Sequence, residues 1–166
     1  MRIGSFVLAV ALGILGCGQA LPESAVIRRV IDGDTVELGD GRLVRYIGID
    51  TPELRRKIAG QWVEDPQPFS QAAKEANARL VEGKTVRLEY DVETHDRYGR
   101  LLAYVYVDGT MVNAALLAGG YAQPLAIPPN VRHVEEFRRL VREARDATRG
   151  LWSAPRSRRR RARDQP

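Results

Sequence analysis

Short runs of β-branched and apolar residues, separated by glycine and aspartate, follow one another in the first part of the folded chain. Ala25 to Ile31, Thr35 to Leu38 and Arg42 to Ile49 are such runs. Glycine and aspartate at the breaks between them favour tight turns. The third run alternates imperfectly, as expected where a strand bends in a small barrel. These residues predict three strands joined as a β-meander.

Two more strands and three helices are predicted further along. Thr85 to Val92 and Leu101 to Val107 are β-branched or alternating runs, and apolar residues recur at helical spacing over Phe69 to Val81, Met111 to Leu117 and Val131 to Thr148. Five strands with a helix after the third indicate an oligonucleotide-binding (OB) fold, a small Greek-key barrel. The predicted fold class is therefore α+β, mainly β, with about three helices.

Between the third strand and the first helix, the chain carries charges and turn formers. Gly60, Pro66 and Pro68 lie in this stretch, which predicts an ordered loop from Glu53 to Pro68 that could flank a site. Near the other end of the fold, Trp152 is expected to pack the last turn onto the core. One folded domain over residues 24–152 follows from these assignments.

The N-terminal segment has the layout of a secretory signal. Residues 3–16 are uncharged and mostly apolar, and the run is shorter than the roughly 20 residues that a bilayer core requires. The only cysteine, Cys17, follows Ile-Leu-Gly as in a lipobox, so its thiol could carry a lipid and anchor the protein to a membrane. Cleavage after Ala20 is the alternative. We therefore expect residues 1–20 to direct export, giving a membrane-anchored lipoprotein or a secreted or periplasmic protein.

The positive charge is concentrated at the C-terminus. The net charge of the chain is +5, yet residues 156–166 hold six arginines and one aspartate, and residues 3–155 have a net charge of −1. Attraction to phosphate in the body must therefore come from individually placed arginines. Residues 153–166 are predicted to be a disordered basic tail, which could bind nucleic acid or anionic lipid headgroups. Composition does not distinguish these two partners.

Two acidic clusters stand out at predicted strand ends. They are Asp32-Gly33-Asp34-Thr35 and Asp50-Thr51-Pro52-Glu53. Asp-Gly-Asp alone is also an ordinary turn sequence. Carboxylates gathered at one end of a barrel repel one another unless a cation lies between them, and oxygen ligands suit Ca²⁺ or Mg²⁺ better than Zn²⁺. With Arg45 and Arg100 nearby, the carboxylates and a metal ion would form a phosphodiester site.

These motifs are similar to those of a known family. From Val30 to Trp152 the chain resembles the staphylococcal nuclease (thermonuclease) family, and it carries four family motifs in the family's order. The motifs are Val30-Ile31-Asp32-Gly33-Asp34-Thr35-Val36, Arg45 with Ile49-Asp50-Thr51-Pro52-Glu53, Asp96-Arg97-Tyr98-Gly99-Arg100-Leu101-Leu102-Ala103-Tyr104-Val105, and Met111-Val112-Asn113.

The resemblance implies a calcium-dependent nuclease. It implies that the carboxylates of Asp34 and Asp50 and the backbone carbonyl of Thr51 bind Ca²⁺. It further implies hydrolysis of DNA and RNA to products with 3′-phosphates, because the family's mechanism does not use the 2′-hydroxyl of RNA. We expect a monomer, since nothing in the sequence requires more.

Catalytic roles follow from the same resemblance. Glu53 matches the glutamate that orients or deprotonates the attacking water, and Arg45 and Arg100 match the pair of arginines that bind phosphate. Two rigid guanidinium groups offset the charge that develops on the phosphate oxygens. Arg97 and Tyr98 match positions that touch a terminal phosphate of bound nucleotide, although an Arg-Tyr pair is also ordinary at a hairpin tip.

The chain departs from the family pattern in two places. Residues 122–130 lack the tyrosines that pack against the base in the family's best-known member, so the stacking platform is missing or built differently. The loop after Glu53 also differs, and its Trp62 could stack on a base or anchor the loop. Asp32 could support a metal ligand or close its turn, while His95 and His133 are expected to be polar surface residues.

A second class of function remains open at this point. Degenerate domains of this family act as catalytically silent nucleic-acid-binding or scaffold modules, and these lose the acidic and arginine positions. This chain retains the acidic and arginine positions, which favours the nuclease. They are Asp34, Arg45, Asp50, Glu53 and Arg100.

Overall fold

The computed structural model of the chain describes residues 20–153, apart from the side chains of residues 56, 57 and 62. The predicted signal segment with Cys17 and the basic tail beyond residue 153 lie outside the described residues. Export, lipidation and tail disorder therefore stay predictions, and so does any role of the Trp62 side chain. Within residues 20–153, none of the helices combines the length and apolar character that a membrane span requires.

The described residues form ten strands, most of them short. In chain order these are β1 (Ser24–Val30), β2 (Thr35–Leu38), β3 (Leu43–Tyr46), β4 (Ile49–Asp50), β5 (Arg55–Ile58), β6 (Gln61–Glu64), β7 (Thr85–Glu89), β8 (Leu101–Val107), β9 (Thr110–Met111) and β10 (Gln123–Pro124). Antiparallel pairing links β3, β2, β1, β7 and β8 in that order. Parallel pairing of β3 with β8, which sets Val44 opposite Leu101, closes the sheet into the predicted five-stranded barrel.

Three helices pack around the barrel. They are α1 (Ser70–Val81), α2 (Val112–Ala118) and α3 (Val134–Asp146), followed by a 3₁₀ turn at Gly150–Trp152. All three were predicted from helical spacing. α3 begins three residues later than expected, with Glu135 and Glu136 in its first turn, where acidic side chains complement the helix dipole. Trp152 packs against the core as predicted, and the guanidinium of Arg145 lies 4.1 Å from its ring.

The core fills the barrel and the space beneath the helices. Its largest fully buried side chains include Tyr46 and Tyr104 from the strands and Leu116 and Leu117 from α2. The hydroxyl of Tyr46 donates to Oδ1 of the buried Asn77 on α1. This hydrogen bond satisfies two buried polar groups and fixes α1 against the barrel.

The predicted strand from Arg42 to Ile49 is interrupted, so that part of the prediction is wrong. β3 ends at Tyr46, and Ile49 and Asp50 form β4, which pairs with β10 instead. Gly48 lies between them with φ of 81°, a conformation that favours glycine. A Cβ at this position would lie 2.5 Å from the ring of Phe137. The turn at Gly48 directs Asp50 away from the ladder of β3.

The prediction of an ordered loop without regular elements from Glu53 to Pro68 is also wrong in part. β5 and β6 form an antiparallel hairpin that pairs Arg55 with Glu64 and Ile58 with Gln61. Its tip has positive φ at both Ala59 and Gly60, as a two-residue hairpin turn requires. Ala-Gly is a weaker sequence signal for such a turn than Asn-Gly, which explains why the hairpin was missed.

Candidate active site

The buried carboxylate of Asp34 joins the two acidic clusters. Asp34 lies in the turn between β1 and β2 and is 1% exposed. Its Oδ2 accepts hydrogen bonds from the backbone N–H (2.8 Å) and the hydroxyl (3.0 Å) of Thr51. Its Oδ1 accepts a hydrogen bond from the hydroxyl of Thr35 at 3.2 Å. These contacts fix the carboxylate of Asp34 beside Thr51, so the structure brings the two acidic clusters together.

Arg45 bridges the two predicted metal-binding carboxylates. Its Nη2 lies 3.1 Å from Oδ2 of Asp34 and 3.0 Å from Oδ1 of Asp50. Its Nη1 donates to the carbonyl oxygens of Tyr46 (2.9 Å) and Ile49 (2.8 Å). Each Nη carries two hydrogens, so these four contacts engage both groups and hold the guanidinium in one orientation. A phosphate would reach it through Nε or after displacing a carboxylate from Nη2.

Asp50 and Glu53 lie at the open side of this cluster. The side chain of Asp50 is 51% exposed. The pKa of Asp50 is raised, because burial and the negative charge of Asp34 outweigh the opposing positive charge of Arg45. The pKa of Glu53 is also raised, by partial burial and then by Asp34 and Asp50, against the opposing effects of Arg45 and Arg100. A carboxylate with a raised pKa is a stronger base near neutral pH.

Arg100 is held by an aspartate of its own hairpin. Its Nε donates to Oδ2 of Asp96 at 2.7 Å and its backbone N–H donates to Oδ1 at 3.0 Å. Burial would raise the pKa of Asp96, but the hydrogen bonds from Arg100 and from the backbone N–H of Tyr98 outweigh it and lower that pKa. The side chain of Arg100 is 29% exposed, and its positive charge opposes the rise in the pKa of Glu53.

The two secondary substrate-binding residues lie at the tip of this hairpin. Nη2 of Arg97 donates to the hydroxyl of Tyr98 at 2.7 Å, and its guanidinium lies 4.8 Å from the ring centroid. Tyr98 is 69% exposed. The guanidinium of Arg100 lies 5.6 Å from the same ring. The tip therefore presents a mutually stacked Arg97 and Tyr98 next to a catalytic candidate, and their role in binding stays a prediction.

Asp32 closes the turn before Asp34. Its Oδ1 accepts the backbone N–H of Asp34 at 3.2 Å, which is an ordinary use of aspartate in a turn. Burial, followed by the neighbouring charge of Asp34, raises the pKa of Asp32 to about 7. The carbonyl of Asp32 also accepts a hydrogen bond from Asn77 on α1, so the helix supports this turn.

Several supporting residues were not anticipated from the sequence. Asn77 anchors the Asp32 turn, Oε1 of Gln67 accepts the backbone N–H of Glu53 at 3.1 Å, and Asp96 holds Arg100. Gly33 lets the turn approach β4, since a Cβ there would lie 2.7 Å from the hydroxyl of Thr51. Asn77, an amide on the apolar face of a helix, offered a recognisable signal. Gln67 offered none.

The predicted calcium ligands are suited to an oxygen-preferring cation. Asp34 and Asp50 present carboxylate oxygens that one nitrogen of Arg45 spans, so the pair already attracts a positive charge. Among the described residues, no group of three or more His, Cys, Asp and Glu side chains is arranged to hold a metal. The predicted set has two carboxylates and the carbonyl of Thr51, and water and substrate would supply its other ligands. Such a set fits Ca²⁺ or Mg²⁺.

The two histidines differ in their surroundings. His95 is exposed, and its Nδ1 lies 2.9 Å from the hydroxyl of Thr94, as expected of a polar surface residue. His133 was expected at the surface as well, but its ring is only 22% exposed and lies edge-on to Tyr104, with ring centroids 4.6 Å apart. The expectation for His133 is wrong because the residue precedes α3, where the chain folds back over the barrel.

The segment that lacks the stacking tyrosines lies beside the site. β10 pairs with β4 and sets Gln123 opposite Asp50. Ala122 before it is fully buried, whereas Leu125 and Ile127 after it are 37% and 59% exposed. The exposed Gln123 therefore lies next to Asp50, and the aliphatic surface begins with Leu125.

Comparison with known proteins shows what the chain is similar to. Residues 43–154 match the family described as staphylococcal nuclease homologue. The chain is 37% identical to the SPbeta prophage-derived endonuclease YokF of Bacillus subtilis, over 75% of this chain and 42% of that protein. It is 36% identical to endonuclease YncB of the same species, over 78% and 62% of the two chains. Identity to the thermonuclease of Staphylococcus intermedius is 36%, over 78% and 76%. The chain thus spans less than two thirds of the two Bacillus proteins.

Proposed function

This chain belongs to the staphylococcal nuclease family, and from that membership we propose that it is a calcium-dependent endonuclease that hydrolyses phosphodiester bonds of DNA and RNA. The products would carry 3′-phosphates. The uncharged, mostly apolar residues 3–16 support a further proposal, that the enzyme acts after export from the cell. We propose that it acts as a monomer.

One observation carries the proposal. Arg45 spans the carboxylates of Asp34 and Asp50, and the charges of both acids and both arginines act on the pKa of Glu53. Negative ligands, fixed guanidinium groups and a carboxylate base in one place are the groups that phosphodiester hydrolysis requires. A silent binding module would have no need to retain this combination.

Glu53 and the two arginines have separate roles in the proposed reaction. Glu53 takes a proton from the attacking water, whose oxygen forms a bond to phosphorus. The bond from phosphorus to the 5′-oxygen breaks, and that oxygen leaves with a proton from solvent, so the phosphate stays on the 3′-side. Arg45 and Arg100 donate to the other phosphate oxygens, where negative charge increases. Asp96 fixes Arg100 for this task through the contacts described above.

Asp34, Asp50 and the carbonyl of Thr51 would hold Ca²⁺. When bound, the ion offsets negative charge on the phosphate in the transition state. Asp34 is oriented for this role by Thr51 and Thr35. The mechanism requires no group from the sugar 2′-position, which is why DNA and RNA are both proposed as substrates.

Cleavage of a single-stranded DNA oligonucleotide tests the proposal. The chain without residues 1–20 would be incubated with Ca²⁺, with Mg²⁺ or with chelator. The variants Glu53→Gln and Arg45→Ala would be tested beside the control Glu135→Gln from the exposed side of α3. We expect calcium-dependent 3′-phosphate products in the parent chain and the control. We expect losses of about 10² to 10³ in rate in the two site variants. Binding without cleavage in every metal would overturn the enzyme proposal.

A further inference from the structure

A second charged feature lies beside the candidate active site. It is an open cleft of about 400 Å³, which we call the basic cleft, lined by Arg29, Val30, Ile31, Glu37, Gly41, Leu43, Arg55 and Lys74. Strands β1, β2 and β3 form its floor, and Lys74 of α1 and Arg55 of β5 form its sides. Three cationic residues and one acid line it, so its charge is positive although the body of the chain is slightly acidic.

The register of the strands places the cleft next to the catalytic candidates. Arg29, Glu37 and Leu43 lie opposite one another across β1, β2 and β3. The neighbouring cross-strand pair on the same face of β2 and β3 is Thr35 with Arg45. Two residues along a strand correspond to about 7 Å, which is comparable with the separation of neighbouring phosphates in an extended strand. Arg55, on the other side, follows Glu53 by two residues.

Glu37 holds two neighbouring arginines of β1, Arg28 and Arg29, in place. A register irregularity in β1 between Ile27 and Arg29 lets two consecutive arginines reach the same side. Arg28 donates to Oε1 of Glu37 at 2.9 Å, and Nε and Nη2 of Arg29 lie 2.7 and 2.6 Å from Oε2. Glu37 is 7% exposed. Its one charge is shared by two guanidinium groups, of which that of Arg29 lines the cleft, so the charge of Arg29 is only partly offset.

The cations at the sides form no ion pair in the part of the chain that the structure describes, although Glu64 lies opposite Arg55 across the β5–β6 hairpin. Arg55 and Lys74 make no hydrogen bond or ion pair with the described side chains. Unpaired cations that converge on an open cleft favour a polyanion. The charge, the opening and the strand register relative to Arg45 all suit the backbone of a nucleic acid.

We propose that the basic cleft is a phosphate-binding subsite that holds the backbone of a polynucleotide next to the phosphodiester being cleaved. The substrate class is then a single strand of several nucleotides, bound through at least two phosphates, and short fragments are poor substrates. This inference rests on the proposed nuclease function. It assigns to Arg29, Arg55 and Lys74 a role in substrate length selection.

Cleavage as a function of substrate length tests the subsite. The full chain and the double variant Arg55→Gln/Lys74→Gln would be compared on oligonucleotides of about two to about twelve nucleotides, a range that spans typical OB-fold site sizes. Arg138→Gln/Arg142→Gln, which removes the same charge from the exposed side of α3, is the matched control. We expect the ratio of kcat/KM for the longest over the shortest substrate to fall about tenfold in the cleft variant alone.

Binding measured in chelator, where no cleavage occurs, provides an independent readout. Each lost phosphate contact lowers the slope of log affinity against log salt by about 0.7 for a single strand, so the cleft variant should lose about 1.4. An unchanged length ratio and an unchanged slope would overturn the subsite, whether or not the parent chain cleaves. If the parent chain cleaves nothing but the slope falls as expected, the proposed function fails and the subsite stands.

Discussion

Nη2 of Arg45 lies 3.1 Å from Oδ2 of Asp34, and this contact joins a mostly buried guanidinium to a carboxylate that is 1% exposed. The side chain of Arg45 is 13% exposed. A partly desolvated pair of this kind is costly to break, because the remaining charge stays buried without compensation. Loss of Arg45, which is proposed to bind phosphate, should therefore also destabilise the site.

The first prediction concerns the shape of the Arg45 side chain. Arg45→Lys keeps the charge but cannot donate to two backbone carbonyls and two carboxylates together. We expect kcat/KM for a DNA oligonucleotide to fall about 10² to 10³-fold, nearly as far as in Arg45→Ala. Arg142→Lys on the exposed side of α3 is the control and should retain full activity. An Arg45→Lys variant close to wild type would show that charge alone is required.

The second prediction concerns calcium and thermal stability. A ligand that binds only the folded state stabilises it, by about 2.7 kcal/mol at a hundred times its Kd. Saturating Ca²⁺ should therefore raise the Tm of the chain, and Asp50→Asn should lose most of this rise. Arg45→Gln should show a larger rise than wild type, because it removes the cation that contacts both carboxylates.

Scanning calorimetry in chelator and in Ca²⁺ measures these differences. Asp108→Asn, in the turn between β8 and β9, provides a control that should behave as wild type, since asparagine tolerates the positive φ found there. Equal calcium-dependent rises in the wild type and Asp50→Asn would contradict the assignment of Asp50 as a ligand.

Most of the barrel could be predicted from the sequence because the pattern of the strands is local. Runs such as Thr35 to Leu38 and Leu101 to Val107 are confirmed within the bounds expected. The break at Gly48 could not be predicted in this way, since it depends on the ring of Phe137 from a distant helix. The β5–β6 hairpin was missed because its polar sequence and Ala-Gly tip give a weak pattern.

The site shows the same division between local and long-range information. Asp34, Arg45, Asp50 and Thr51 were predicted from short motifs, and the structure brings them together through contacts that span up to 17 residues. The supporting roles of Asn77 and Gln67 were not, because neither residue belongs to one of these motifs and each contacts the backbone of another segment. Spacing along the chain carries no information about such contacts.

The third prediction concerns Gly33, which lies between the two aspartates of its turn. A Cβ there would lie 2.8 Å from the Cβ atoms of Thr51 and Ala73, closer than packed atoms allow. Gly33→Ala should therefore displace Thr51 from Asp34, lowering the free energy of unfolding by about 1 to 3 kcal/mol and reducing activity.

Gly39→Ala is the matched control for this change. A Cβ at Gly39 would meet only the carbonyl of Val26, at 3.7 Å, which is an ordinary contact. Urea unfolding and a cleavage assay on both variants distinguish a specific clash from a general effect of alanine. Equal stability of the two variants would show that the turn and Thr51 can separate without cost.

The fourth prediction concerns the pH dependence of stability through Asp96. Hydrogen bonds from Arg100 and the backbone N–H of Tyr98 lower the pKa of Asp96 despite its partial burial. A carboxyl whose pKa is lower in the folded state stabilises the fold above its unfolded pKa of about 3.9. That contribution disappears as the pH falls through the folded-state value.

Asp96→Asn should therefore lower the free energy of unfolding at pH 7 by about 1 to 3 kcal/mol, and its difference from wild type should shrink in acid, below about pH 4. Urea unfolding at a series of pH values measures this difference. Glu93→Gln, an exposed change on the same connection, should leave the profile unaltered. Because Asp96 positions Arg100, the asparagine variant should also lose activity at neutral pH. A stability difference that stays constant down to acid pH would mean that the charge of Asp96 does not stabilise the hairpin.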